Sequence, residues 1–257
     1  MTSFKIVIPA RYASTRLPGK PLLKLNGISL IEHVYNAAKK TNADEIIVAT
    51  DNKDIFNTVT NFGGYALMTG NDHVSGTDRI HEAAKIKKWD PATIVVNLQG
   101  DEPLVSADSI HSLVDLLAEN NTAAMSTLAS PISDIKTVID PNTVKVVLDS
   151  NNFALYFSRA PIPWLREHFS ENIFTNPTEL PSGSAFYAHI GLYAYRVQTL
   201  QKFSSLLPSP LEQAESLEQL RILSNGMKIQ VAIADNAQTH GVDTADDLVK
   251  VEQLLNK

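Results

Sequence analysis

The sequence predicts an α/β protein built on a doubly wound, mostly parallel sheet. Short β-branched runs alternate with helical patterns along the first half of the chain, the signature of βαβ units. Of the 257 residues, 44% are hydrophobic, enough for a substantial core. A polar, glycine-bearing loop follows the first apolar run directly, where loops at the carboxyl ends of strands line the ligand crevice of such a sheet.

Read in order, Lys5 to Pro9 is a strand, Leu30 to Lys40 a helix, Glu45 to Thr50 a strand and Lys53 to Phe62 a helix. Tyr65 to Met68 follows as a strand, then a helix from about Thr77 to Lys88, a strand at Thr93 to Leu98, a helix near Ala107 to Glu119 and a strand at Ala123 to Ala129. After Ser130 the texture changes. Val144 to Leu148, Phe153 to Phe157 and Phe186 to Tyr195 are strand-like with few helices between them, and the Pro- and Gly-bearing stretch Arg166 to Ser184 reads as a loop-rich excursion. The expected organisation is one domain over 1–257 with a subregion at about 130–205. Leu211 to Asn225 reads as a helix closed by Asn225-Gly226, followed by a strand at Lys228 to Ala232 and a last helix from about Thr244 to Leu255.

The charge balance narrows the function. With 22 Lys+Arg against 28 Asp+Glu the net charge is −6, which disfavours a general nucleic-acid binder and makes any phosphate site local. The absence of cysteine excludes disulfides, Cys-ligated zinc, iron–sulfur clusters and a thiol nucleophile. The apolar run Ile6 to Pro9 is too short for a signal peptide, and no stretch approaches the ~18 apolar residues of a membrane span. The expectation is a cytoplasmic globular protein.

Four segments carry candidate chemistry. The loop Pro9-Ala10-Arg11-Tyr12-Ala13-Ser14-Thr15-Arg16-Leu17-Pro18-Gly19-Lys20-Pro21 joins three cations, two hydroxyls and a glycine, which suits a polyphosphate and equally fits a solvated basic loop. Neither the Walker A spacing nor G-x-G-x-x-G is present. Asn97-Leu98-Gln99-Gly100-Asp101-Glu102-Pro103 ends an apolar strand in carboxylates, which fits a hard cation such as Mg²⁺ or a cap of the next turn. In Ser75-Gly76-Thr77-Asp78-Arg79, helix capping is the simpler explanation. In Tyr156-Phe157-Ser158-Arg159, the arginine wants an anion or a salt-bridge partner. The seven histidines form no H-E-x-x-H pattern, no serine sits in a G-x-S-x-G elbow, and His189 reads as a satisfied core histidine.

Together with Lys145-Val146-Val147, Glu218-Gln219-Leu220-Arg221 and Gly241-Val242-Asp243-Thr244, these segments closely resemble the 3-deoxy-manno-octulosonate cytidylyltransferases, or CMP-Kdo synthetases, over essentially the whole chain. The resemblance implies a Rossmann-like mixed, mostly parallel sheet flanked by helices, of the nucleotide-diphospho-sugar transferase type, with a smaller dimerisation subregion. It implies transfer of CMP from CTP to the anomeric 2-hydroxyl of Kdo for lipopolysaccharide synthesis, with Mg²⁺ as cofactor and a homodimer as the assembly. Arg11, Lys20, Asp101 and Asp243 match the catalytic set, with Asp101 and Asp243 as the metal-binding carboxylates. Arg11, Ser14, Arg16 and Lys20 match the triphosphate loop, and Ser75, Asp78 and Arg79 the nucleotide region. Gln99, Arg159, Arg166, His189, Tyr193 and Glu212 match positions facing the sugar acid. Gln213 stands where the family often has histidine, and Leu165 where aspartate is common. An 8-amino-Kdo or sialate-type acceptor is therefore the alternative within the class, and a non-catalytic nucleotide-binding protein the alternative outside it.

Overall fold

The structure, a computed structural model, describes residues 2–13, 17–73, 75–169, 173–174, 179–234, 241–242 and 244–255. In chain order the strands and helices are β1 (Phe4–Ala10), β2 (Lys24–Leu25), β3 (Ile28–Ser29), α1 (Leu30–Lys39), β4 (Glu45–Thr50), α2 (Lys53–Asn61), β5 (Ala66–Met68), α3 (Gly76–Ile86), β6 (Ile94–Asn97), α4 (Ala107–Glu119) and β7 (Ala123–Pro131). The remainder are α5 (Ile135–Ile139), β8 (Lys145–Leu148), β9 (Ala154–Ser158), β10 (Tyr187–Arg196), α6 (Val197–Ser205), α7 (Pro210–Glu215), α8 (Leu220–Ser224), β11 (Lys228–Ile233) and α9 (Ala245–Leu255).

The main sheet has the order β11-β7-β10-β6-β1-β4-β5, and β8 and β9 extend it beside β10. Strands β1, β4, β5 and β6 run parallel, whereas β10 is antiparallel to both β6 and β7, so the sheet is mixed but mostly parallel as expected. The period-2 alternation of β1 sorts its side chains between the two layers. Phe4, Ile6, Ile8 and Ala10 pack with α1 and α4 residues such as Val34 and Leu113, while Val7 faces the other way onto Ile80 and Ala83 of α3. A separate small core joins Ile132, Val138, Phe169, Ile173 and Phe186 within the 130–205 region. Among the described residues no helix is long and apolar enough to cross a membrane.

The structure departs from the sequence reading in the second half. The helix expected over Leu211 to Asn225 is two: α7 ends at Ser216, whose φ of 53° places it in the left-handed region, and α8 starts again at Leu220. The turn lets Leu217, Leu220 and Ile222 all reach the core, which one straight helix would not do. Helix α6, unexpected from sequence, buries Val197, Leu200 and Phe203 at three-residue spacing against α3 and β10. The hairpin β2–β3 also escaped notice, although Asn26-Gly27, with φ values of 50° and 85°, is the turn such a hairpin demands.

Candidate nucleotide and sugar-acid site

From β1 the chain steps outward through β4 and β5 and then returns to β6 on the other side of β1. The loops after β1 and β6 therefore diverge from adjacent parallel strands, which makes their carboxyl ends the binding crevice of this sheet. The two loops touch at Gly100, where a Cβ would lie 3.1 Å from the Pro9 carbonyl oxygen and 3.7 Å from Ile31. A side chain there would press on the end of β1 and require it to shift by a few tenths of an ångström.

Across this contact the Lys20 ammonium donates to Asp101 Oδ2 at 2.5 Å, with the two side chains 14% and 28% exposed. Gly19, with a φ of 67°, turns the first loop back so that its N–H donates to the Tyr12 carbonyl at 3.0 Å and Lys20 comes to face Asp101. Arg11 is exposed and makes no hydrogen bond or ion pair among the described residues, leaving its charge available to an anion. Ser14, Arg16 and Asp243 lie outside the described residues. The chain just before position 243 does reach the site: Val242 N donates to the Asp101 carbonyl at 2.9 Å, and a Cβ on Gly241 would meet Glu102 Oε1 at 2.9 Å. The hard carboxylate oxygen of Asp101 suits Mg²⁺. No group of three or more metal-ligating side chains gathers among the described residues.

The amino end of α3 abuts the same rim, with Gly76 against Pro9. Ser75 Oγ accepts from Asp78 N at 3.1 Å and donates to Asp78 Oδ2 at 2.9 Å, so the capping reading of this segment holds. Arg79 departs from expectation. It is 1% exposed, and its guanidinium donates to Asp51 Oδ2 at 2.6 Å, Thr69 Oγ1 at 2.5 Å and the Gly70 carbonyl at 3.3 Å. Enclosure leaves it no face for a ligand; it ties together the loops after β4 and β5.

On the other side of β6, Tyr193 of β10 lies opposite Asn97. The ring of His189 packs between Phe157 and Tyr193, and burial pushes its pKa down to about 3, so it is neutral. Thr127 Oγ1 lies 2.9 Å from His189 Nε2, 2.9 Å from the Leu192 carbonyl and 3.1 Å from the Ile190 carbonyl. One hydroxyl proton is shared among these three neighbours, and the Thr127–His189 contact is satisfied by either neutral tautomer of the ring. Burial likewise raises the Tyr193 phenol, which donates to Gln219 Oε1 at 3.3 Å.

Beside this tyrosine lie side chains without an assigned role in the sequence reading. Glu218 Oε1, Gln219 Nε2 and Asn97 Oδ1 are buried without a hydrogen-bond partner, an arrangement that invites a ligand rich in hydroxyls. Burial raises the Glu218 carboxyl, outweighing the favourable influence of the neighbouring Thr77 and Ser75 hydroxyls. The available signal was a polar pair set between Leu217 and Leu220. Glu212, expected at the sugar acid, is committed elsewhere. It closes a capping box with Ser209 and holds Arg221 bidentately at 2.8 and 2.5 Å. Gln99 is half-buried just past β6. Arg166 is exposed in the segment after β9 with no ion pair or hydrogen bond among the described residues. Gln213 is exposed, and Leu165 packs on the small core of Phe169 and Phe186.

A doubly wound sheet with a cationic loop facing a carboxylate across its switch point defines a nucleotide-handling transferase of the α/β class. The family model described as cytidylyltransferase matches residues 5–229. A 3-deoxy-manno-octulosonate cytidylyltransferase of Marinobacter nauticus is 46% identical over 99% of this chain and 98% of its own, and one from Pseudomonas fluorescens is 48% identical over 99% and 98%. A CMP:2-keto-3-deoxy-manno-octonic acid synthetase solved in complex with CTP superposes with a TM-score of 0.86 at 42% identity, covering 99% of both chains. The chain belongs to the cytidylyltransferase family, on the branch of the 3-deoxy-manno-octulosonate cytidylyltransferases.

Proposed function

We propose that the chain transfers the cytidylyl group of CTP to the anomeric 2-hydroxyl of Kdo, forming CMP-Kdo for lipopolysaccharide synthesis. The observation that carries this reading is the full-length likeness to the CTP-bound synthetase. The Lys20–Asp101 pair lies at the expected crevice. The 2-hydroxyl oxygen bonds to the α-phosphorus as the bond to the bridging oxygen breaks, pyrophosphate departs, and the hydroxyl proton is lost to solvent.

In this reaction catalysis is mainly positioning and charge stabilisation. Arg11 and Lys20 neutralise the triphosphate, with Ser14 and Arg16 completing that loop. Ser75 and Asp78 bound the nucleotide at the amino end of α3. Gln99, Arg159, Arg166, His189 and Tyr193 line the sugar acid, and Glu218 and Gln219 join them as acceptor and donor for its hydroxyls. Arg79 and Glu212 position their neighbours. Asp101 and Asp243 would hold Mg²⁺, which when bound orients the triphosphate and screens charge at the reacting phosphorus. With its carboxylate partner so occupied, Lys20 would turn from Asp101 to the phosphates.

The proposal extends to a cytoplasmic homodimer of single-domain chains, with the 130–205 subregion supplying sugar-pocket and dimer contacts. Leu155, Trp164 and Phe174, all in that subregion, are more than half exposed or at the half mark, at 60%, 50% and 58%. The deciding experiment is an acceptor panel: purified protein with CTP, Mg²⁺ and Kdo, 8-amino-Kdo or a sialic acid, reading pyrophosphate release. Fastest release with Kdo is expected. No release with any acceptor overturns the activity, and preference for another acceptor overturns the substrate.

A further inference from the structure

The side chains that hold Arg159 form a set distinct from the reacting groups. Lys145 of β8 is 0% exposed, yet no carboxylate neutralises it within ion-pair distance among the described residues. Its ammonium donates instead to three backbone carbonyls, those of Asp140 at 2.9 Å, Thr143 at 2.7 Å and Arg159 at 2.6 Å. Three acceptors use all three protons of a lysine, so the geometry requires the ammonium form. A buried cation costs folding energy, and a methionine of similar length would fill the same space. What the charge supplies is orientation: it gathers the 140–143 turn and the backbone at position 159 onto one atom.

Arg159 is gripped from its other side by Glu215 at the end of α7. Glu215 Oε2 accepts from Arg159 N at 3.0 Å, its backbone carbonyl accepts from Arg159 Nε at 2.8 Å, and its Oε1 accepts from Ser158 Oγ at 2.6 Å. Burial works against this carboxylate, but these hydrogen bonds win and keep it ionised below its ordinary range. Arg159 Nη1 donates to the carbonyl of Pro141 at 2.9 Å, on the turn that Lys145 organises. Every seat of the guanidinium is thus a carbonyl and none is a carboxylate. Nη2 makes no hydrogen bond among the described residues. Glu215 balances part of the arginine's charge, but because the guanidinium itself is hydrogen-bonded only to carbonyls, its Nη2 edge is left to meet an approaching anion.

We propose that Lys145 and Glu215 are positioning residues that fix Arg159 as the arm holding the carboxylate of the sugar acid. This rests on the reading of Arg159 as a sugar-acid contact. The contribution is to acceptor binding alone: losing either support lets the arm swing among rotamers that miss the carboxylate, while the triphosphate loop, on another part of the sheet, is untouched.

The test is a kinetic split on the full chain with Kdo, CTP and Mg²⁺. Glu215→Ala and Lys145→Met should each raise KM for Kdo about tenfold, the size of a coupled contact, and leave KM for CTP within about twofold. Glu215→Gln should recover most of the loss, since its amide oxygen can accept from Arg159 N while its NH₂ donates to Ser158 Oγ. In an Arg159→Ala background Glu215→Ala should add almost nothing. If Lys145→Met does not fold, the two Glu215 variants decide. A Glu215→Ala penalty that persists without Arg159, or that falls equally on CTP, overturns the proposal, as does an unchanged KM for Kdo. If Arg159→Ala itself leaves KM for Kdo unchanged, the sugar-acid assignment fails and takes this proposal with it; if only Arg159→Ala has an effect, the assignment stands and the positioning role alone is lost.

Discussion

The Lys20 ammonium sits 2.5 Å from Asp101 Oδ2, joining the loop after β1 to the loop after β6. The pair is a resting arrangement. Under the proposed function, CTP phosphates would compete for Lys20 and Mg²⁺ for Asp101, so substrate and metal together would replace one ion pair with two better-matched ones.

Lys20→Ala and Asp101→Asn should each lower kcat at least ~10²-fold, the size expected when one electrostatic group at a reacting centre is lost. Stability should hardly change, because a partly exposed ion pair contributes only ~0–1 kcal/mol. Steady-state kinetics with thermal melts checks both halves. Full activity in either variant would remove that residue from the catalytic set.

Arg79 and Asp51 make the opposite case, an ion pair whose function is the fold. Asp51→Asn leaves the buried Arg79 without its carboxylate. The expected loss is about 2–3 kcal/mol, below the ~3–5 typical of fully enclosed pairs because Asp51 is 20% exposed. In a chain of this size that lowers Tm by roughly 5–10 °C. An unchanged Tm with a large rise in KM for CTP would instead return Arg79 to the nucleotide site.

The sheet and the crevice were legible in the sequence because each parallel strand is a compact apolar run ending in a polar loop; Ile6 to Pro9 and Thr93 to Leu98 carry that signal locally. Arg79 and Glu212 were harder. Both lie in motif-like segments, and only the tertiary fold reveals that Asp51 and Arg221 consume their charges. Glu218 and Gln219 carry no local signal of a role, since their orphaned atoms matter only once β10 places Tyr193 beside them. The break at Ser216 was invisible because the apolar spacing runs on through the turn, and the cost of its left-handed backbone is offset by burying Leu217 and Leu220.

The two glutamates on either side of that break should therefore behave differently. Glu212→Gln weakens a capping box and a bidentate arginine pair, and should cost about 1–2 kcal/mol with KM for Kdo unchanged. Glu218→Leu removes the acceptor together with a carboxyl whose charge burial already opposes, so Tm should hold or rise. Its KM for Kdo should rise about tenfold, as for one lost hydrogen bond to a buried partner. Melting curves beside acceptor titrations separate the two, and a matching pattern in both variants would defeat the distinction.

His189 supplies a pH-dependent prediction. Burial lowers its pKa from 6.5 to about 3, so between those values the unfolded chain binds a proton there that the folded chain does not. A depressed folded-state value means the contribution is fully present above pH 6.5 and is lost as the pH falls through that window, by up to ~1.4 kcal/mol per pH unit. From pH 7 to pH 5 the loss attributable to His189 should be about 2 kcal/mol. His189→Gln keeps a donor for the Thr127 hydroxyl and has no titration, so its stability should fall less over the same range. Urea unfolding of both proteins at pH 7 and pH 5 cancels the contributions of every other titrating group. Equal losses in the two proteins would show that His189 is protonated in the folded state. Because the imidazole stays neutral in the folded chain, KM for Kdo should also show no inflection near pH 6.5 that His189→Gln removes.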